Sequence, residues 1–261
     1  MPVLNRDGVG LYYEVHGNGP ALLLTHGYSS TSHMWAGQVE PFSKHFKLVI
    51  WDMRGHGRTA SPDDAAQYSE EATVADMAAL LDHVGAKDAI VGGLSLGGYM
   101  SLAFCLKHPE RVRALLIIDT GPGFRKDEAR AQWNERAIKT AERFERNGLD
   151  RLASAGSEVR AAQHASAKHL ALAARGMLAQ RDARVIDSLP NVRVPALVVV
   201  GANDTPFLPA SDYMAAKIPG AKKVVIPDAG HGANIDQPKR FNEAVLEFLG
   251  APTPSAASRE A

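Results

Sequence analysis

The sequence predicts an α/β protein built on a mostly parallel, doubly wound sheet with helices on both faces. Short apolar runs alternate with longer amphipathic segments along most of the chain. Several of the runs are apolar on both faces, as central strands covered on two sides must be. The 261 residues, 45% of them hydrophobic, suffice for one domain with a sizeable core.

Taken in order, "GLYYEV" (Gly10–Val15) follows an Asp-Gly turn signal and reads as an antiparallel hairpin strand. The strand-like runs "ALLLTHG", "KLVIWDM", "DAIVGGLS", "VRALLIID", "PALVVVG" and "KKVVIP" follow. Between them, Glu70–Val84 places Val74, Met77, Leu80, Leu81 and Val84 on one helical face. A second helix is expected from Leu96 to Lys107, stopping before Pro109, and a last one from Pro238 to Leu249. From Gly121 to Leu189 the alternation breaks, leaving Ala/Arg/Glu-rich sequence of helical spacing between "TGPGF" and "SLPNVRVP". The expected division is therefore a core of residues 1–120 and 190–250, a helical insertion at 121–189, and a small, polar tail at 251–261.

Equal counts of acidic and basic residues, 29 each, give no support to a nucleic-acid or membrane-surface role. Cys105 is the only cysteine, which excludes an intrachain disulfide and a cysteine-type zinc cluster. The opening "MPVLNRDGVG" lacks the basic end and apolar run of a signal peptide, and no apolar stretch approaches membrane-spanning length. A cytoplasmic protein acting on a small molecule is the expectation, and a homo-oligomer is compatible with it.

The chemistry centres on "GLSLG", Gly93–Gly97, a G-x-S-x-G pattern set between a strand and a helix. Glycines on both sides of Ser95 suit a strained turn in which larger side chains would collide with strand or helix. The turn lifts the hydroxyl clear of the sheet edge, next to a helix N-terminus that favours developing negative charge. The pattern alone also fits a Gly-rich packing turn with an incidental serine. A serine nucleophile needs a base, and the base a carboxylate. "VVVGANDTPF" places Asp204 just past one apolar strand, and "VVIPDAGHGAN" places His231 just past the next. Reactive groups in open α/β sheets gather at these strand ends. Asp228 is the alternative carboxylate.

With these residues in the order Ser, Asp, His, the sequence resembles the α/β-hydrolase superfamily over nearly its whole length. "LTHGYSSTSHMW", "DMRGHGRTASP", "GLSLG" and "AGHGANIDQP" occur in the family's order. The resemblance implies the α/β-hydrolase fold, a Ser95–Asp204–His231 triad, an oxyanion hole from the backbone N–H groups of Tyr28 and Leu96, and a cap at the insertion. Asp236 stands where the family commonly has Glu, outside the triad. The implied activity is serine carboxylesterase. "GLSLGG", "PERVRALLIIDT" and the Trp133…Arg136 pair are similar to the 3-oxoadipate enol-lactonase-like group, so a lactonase is the alternative. Ser95 argues against the epoxide hydrolase and haloalkane dehalogenase types, which carry Asp there. Gly232 weakens the carbon–carbon bond hydrolase branch, which often has Trp after the histidine. A haloperoxidase-type perhydrolase and a non-catalytic ligand-binding member complete the alternatives.

Other residues carry plainer readings. His26 and His56 are expected to shape loops, Cys105 to be a small buried side chain, and His164 and His169 to be exposed on a helix. Trp133 packs against the core or lines an acyl pocket, and Arg136 faces solvent or a substrate carboxylate. No histidine pair has metal-ligand spacing, and no cofactor is implied.

Overall fold

The computed structural model describes residues 2–251; of the expected tail, all but Ala251 lies outside them. Strands β1 (Val3–Arg6) and β2 (Val9–His16) form the predicted hairpin, with Asp7 and Gly8 at φ of 52° and 80° in the turn. Left-handed conformations at both central positions match the right-handed twist of the strands, which is why Asp-Gly serves here. Strands β3 (Ala21–Thr25), β4 (Lys47–Trp51), β5 (Ala89–Leu94), β6 (Val112–Ile118), β7 (Ala196–Gly201) and β8 (Lys222–Ile226) complete an eight-stranded sheet of order β1-β2-β4-β3-β5-β6-β7-β8. From β4 across to β8 every pairing is parallel.

Side-chain alternation along the strands explains the continuous apolar runs. Leu22, Leu24, Leu48, Ile50, Leu116, Ile118, Leu197 and Val199 pack on one face, against α1 (Ala36–Ser43) and α9 (Pro238–Phe248) through Phe42 and Phe241. Leu23, Val49, Val91, Leu115, Ile117 and Val198 pack on the other, against α2 (Glu70–His83), α3 (Leu96–Lys107) and α8 (Leu208–Lys217) through Met77, Met100 and Met214. Strands with two buried faces cannot alternate apolar with polar. The edge strand β8 opens with exposed Lys222 and Lys223, charges that discourage pairing with another chain.

Between β6 and β7 the described elements are all helical: α4 (Asp127–Asn147), α5 (Ser157–Arg160), α6 (Ala167–Ala173) continued by one π-helical stretch, and α7 (Arg184–Ser188), with short 3-10 turns. This segment has a small core of its own, in which Phe144, Leu152, Val159 and Leu170 are buried and Tyr28 of the main layer packs against them. His164 and His169 depart from expectation. His164 lies in the loop between α5 and α6, partly buried, and His169 on α6 contacts Asp63 through Nε2 at 3.0 Å. The helical spacing that suggests otherwise is not realised over residues 161–166.

Among the described residues no helix is long and apolar enough to cross a membrane, and no group of three or more His, Cys, Asp or Glu side chains is placed to hold a metal ion.

Candidate active site

The chain passes from β3 to β4 on one side of the sheet and returns to β5 on the other, so the ends of β3 and β5 lie side by side with Thr25 opposite Gly93. Such a reversal leaves a crevice outside the strand ends. His26-Gly27-Tyr28 leaves β3 there, and Ser95 leaves β5.

Ser95 has φ 56° and ψ −117°, a conformation that side chains rarely adopt. The adjoining glycines have steric reasons. A methyl group on Gly93 would lie 2.6 Å from the Thr25 carbonyl oxygen, and one on Gly97 only 2.2 Å from the same atom. Gly97→Ala is expected to lower stability by at least about 2 kcal/mol, since backbone rather than a flexible side chain must give way; urea denaturation measures it. The Ser95 carbonyl accepts the Tyr99 N–H at 3.0 Å and the Thr120 hydroxyl at 2.6 Å. Thr120, at the end of β6, thus braces the elbow without any sequence signal of its own. Leu96 opens α3, in the first turn, where N–H groups have no intrahelical acceptor. Gly27 packs against the serine, 3.4 Å separating a methyl built on it from Ser95 Cβ.

Past the ends of β7 and β8, Asp204 and His231 meet: the Nδ1–H of His231 donates to Asp204 Oδ2 at 2.8 Å. Asp204 is 6% exposed, and its backbone is fixed by a turn in which its N–H donates to Gly201 O at 3.0 Å. Phe207 stacks on the imidazole with ring centroids 5.0 Å apart. Burial disfavours the charged ring of His231, but the hydrogen bond and charge of Asp204 outweigh it and raise its pKa above the ordinary histidine value. Asp236 organises the histidine loop by accepting the Gly230 N–H and the Ser157 hydroxyl at 2.8 and 2.7 Å. Gly232 has its own constraint, since a Cβ there would lie 2.6 Å from Ser157 Oγ, so a larger residue would have to displace the Ser157 hydroxyl from Asp236.

Asp228, the alternative carboxylate, is not beside His231. It is exposed, at φ 59°, with its carboxylate 3.9 Å from Arg240. The second carboxyl group near the histidine is instead Asp119, which no motif in the sequence singles out. It follows β6 directly, is fully buried, and takes the Gly201 N–H on Oδ1 at 2.7 Å, with the Ala233 N–H also directed at the carboxyl group. Burial pushes its pKa up to about 8, against the Gly201 hydrogen bond and the charge of His231. One signal for it does exist, because "VRALLIID" ends in an aspartate at a strand's carboxyl end.

A cavity of about 480 Å³ opens on Ser95 and Leu96 and extends between Phe124, Trp133, Arg136 and Phe207. Trp133 lines it and also packs, because its indole N–H donates to Leu178 O at 2.7 Å while its ring sits 5.8 Å from that of Phe124. Arg136 is an exposed residue on the same wall. His26 is a loop-former as expected: fully buried, it bonds Gly27 O through Nδ1 at 2.7 Å and accepts the Met53 N–H on Nε2 at 2.9 Å. Burial drives its pKa down to about 4, so the ring is a neutral brace at physiological pH. His56 bonds Arg54 O through Nδ1 at 2.9 Å. Cys105 is buried, its thiol pushed up to about 11 by desolvation, and so is not a nucleophile.

A model of the alpha/beta hydrolase family matches residues 22–244. A thermophilic esterase from Thermogutta terrifontis is 31% identical, superposes with a TM-score of 0.83, and the match covers 95% of this chain and 96% of that one. The enol-lactonase of Burkholderia xenovorans LB400 is 27% identical, with a TM-score of 0.77 and coverage of 95% and 100%. A Caulobacter sp. (strain K31) protein designated a putative carbamate hydrolase is 30% identical over 92% of this chain and 96% of its own length. The chain is a hydrolase and belongs to the alpha/beta hydrolase family.

Proposed function

We propose that the protein hydrolyses carboxylic esters of small acids through an acyl-enzyme on Ser95. His231, held by Asp204, takes the Ser95 proton as the serine oxygen bonds to the substrate carbonyl carbon. The carbonyl oxygen becomes an oxyanion facing the N–H groups of Leu96 and Tyr28. When the carbon–oxygen bond to the alcohol breaks, His231 returns the proton to the departing oxygen. Water, deprotonated in turn by His231, attacks the acyl carbon and releases the acid, regenerating Ser95. In this reading residues 1–120 and 190–250 carry the chemistry, 121–189 form a cap that shapes the acyl pocket, and no cofactor takes part.

The observation that carries the reading is the 2.8 Å His231–Asp204 pair at the same strand ends as a serine in a strained conformation. Strain of this kind costs about 1–3 kcal/mol and has no use in a turn that merely packs a helix on a strand.

Lactone opening uses the same bond changes, except that the leaving oxygen stays attached to the acyl group. Arg136 on the cavity wall favours that second reading for a lactone that bears a carboxylate. Rates across short and medium esters, neutral and anionic lactones and a simple carbamate separate the classes. Arg136→Ala is expected to raise KM about tenfold for the anionic lactone, the worth of one charge-assisted contact, and to leave neutral esters unchanged. Equal effects on both would remove the anionic lactone from consideration.

A further inference from the structure

The turn that carries Tyr28 is held from outside by the helical insertion. Ser30 N–H closes it onto Gly27 O at 3.1 Å, which puts Ser29 at its second central position. Ser29 has φ 54° there, a conformation that turns of this kind ordinarily give to glycine. A serine is kept in it only where its surroundings over-determine the backbone. His164 reaches this residue from the insertion: the ring bonds the Ser29 carbonyl through Nε2 at 3.0 Å and accepts the Gly57 N–H on Nδ1 at 3.1 Å. One imidazole thereby ties the loop after β3, the loop after β4 and the insertion together. Burial lowers the pKa of His164, against the Ser29 hydrogen bond and the charge of Asp52, so that Nδ1 is free to accept and Nε2–H donates.

The rings of His56 and His164 are 5.7 Å apart, edge to face, and His56 in turn lies 5.6 Å from Tyr28 and 5.0 Å from His26. Two further bonds run from the same turn to the insertion, from the Tyr28 hydroxyl to Leu170 O at 2.8 Å and from the Ser30 hydroxyl to Glu158 O. These are redundant anchors for the segment, whereas His164 acts on the carbonyl of the strained residue itself. If Ser29 relaxed to negative φ, the Tyr28–Ser29 peptide would rotate and carry Tyr28 with it.

We propose that His164 is a positioning residue, which holds the strained Ser29 turn so that the Tyr28 N–H meets the oxyanion formed on a Ser95 adduct. The inference rests on the Ser95 nucleophile reading. It gives a backbone donor a side-chain handle, since the donor itself cannot be substituted.

The test compares wild type, His164→Ala, His164→Gln, Ser29→Gly and the Ser29→Gly/His164→Ala double variant. Steady-state kinetics use a chromogenic short-chain ester, and the labelling rate uses a serine-directed phosphonate, whose adduct places an oxygen in the same position. His164→Ala is expected to lower kcat and the labelling rate together by about 10- to 100-fold, with KM within about threefold, the scale of a misplaced catalytic donor. His164→Gln, which can still donate to Ser29 O, is expected to recover a large part, and serves if the alanine variant fails to fold. In the Ser29→Gly background the His164→Ala loss should shrink to less than about threefold, because glycine keeps a positive φ unaided. A merely structural role for His164 would lower thermal stability and active fraction without this coupling. Undiminished kcat in His164→Ala, or an equal loss in both backgrounds, overturns the inference while labelling of wild-type Ser95 stands. Failure of wild type to label at Ser95 overturns the nucleophile reading itself.

Discussion

Ser95→Ala is expected to lower ester turnover by about 10⁴- to 10⁶-fold, the range seen when the nucleophile of such a unit is removed, and to leave the fold intact. Ser95→Gly should lose the same activity but gain stability. The distinction comes from the backbone, because the alanine variant inherits the φ of 56° and ψ of −117° along with its strain, whereas glycine occupies that region at little cost. Relief of about 1–3 kcal/mol in the folded state is offset in part by the greater freedom of glycine in the unfolded chain. A net gain of about 1 kcal/mol in urea denaturation is expected for Ser95→Gly, and no gain for Ser95→Ala. Turnover near wild type in either variant refutes Ser95 as nucleophile. Equal stability of the two variants would show that the turn stores no strain, and would remove the reason for preferring an active elbow to a packing turn.

The parts of the site that are legible in the sequence are those fixed by local chain geometry. A strand that ends in Gly-x-Ser-x-Gly and continues as a helix has few conformations open to it, and an aspartate or histidine just past an apolar run must lie at the sheet's carboxyl edge. Ser95, Asp204 and His231 are of this kind, as is the Asp7–Gly8 hairpin turn. Residues that act across the fold are illegible for the converse reason. Thr120 braces Ser95 only because β6 lies beside β5 in the sheet order, which no local pattern encodes; Asp119 is placed at the carboxyl edge by its apolar run, but its facing His231 follows only from β6 lying between β5 and β7. His164 sits in "RAAQHASAKH", whose alanines suggest a helix; the bonds it makes run to residues 135 and 107 positions away. Asp228 competes as a carboxylate in the sequence because a triad carboxylate can follow either strand end, yet it is exposed and lies 3.9 Å from Arg240.

Asp204→Asn is expected to lower kcat by about 10⁴-fold, since the imidazole would lose both its oriented tautomer and the charge that stabilises its cation, and its pH profile should change in a specific direction. In the wild type Asp204 raises the pKa of His231, so activity that uses the neutral ring as base should fall as pH drops through that raised value. In Asp204→Asn the support is gone, burial then lowers the histidine pKa, and the acid limb must move to lower pH. The alkaline side involves Asp119, whose carboxyl is pushed up to about 8 by burial and is therefore mostly protonated at neutral pH. As pH rises through its pKa, which the loss of the Asp204 charge lowers somewhat, Asp119 becomes an anion facing His231. Residual activity of Asp204→Asn should therefore climb on the alkaline side, and the climb should vanish in the Asp204→Asn/Asp119→Asn double variant. The asparagine of Asp119→Asn can still accept the Gly201 N–H, so loss of the climb reports the charge rather than the fold. Asp228→Asn should leave the profile unchanged. A damaging Asp228→Asn beside a benign Asp204→Asn would show that the carboxylate has been misassigned, despite the 2.8 Å contact between Asp204 and His231.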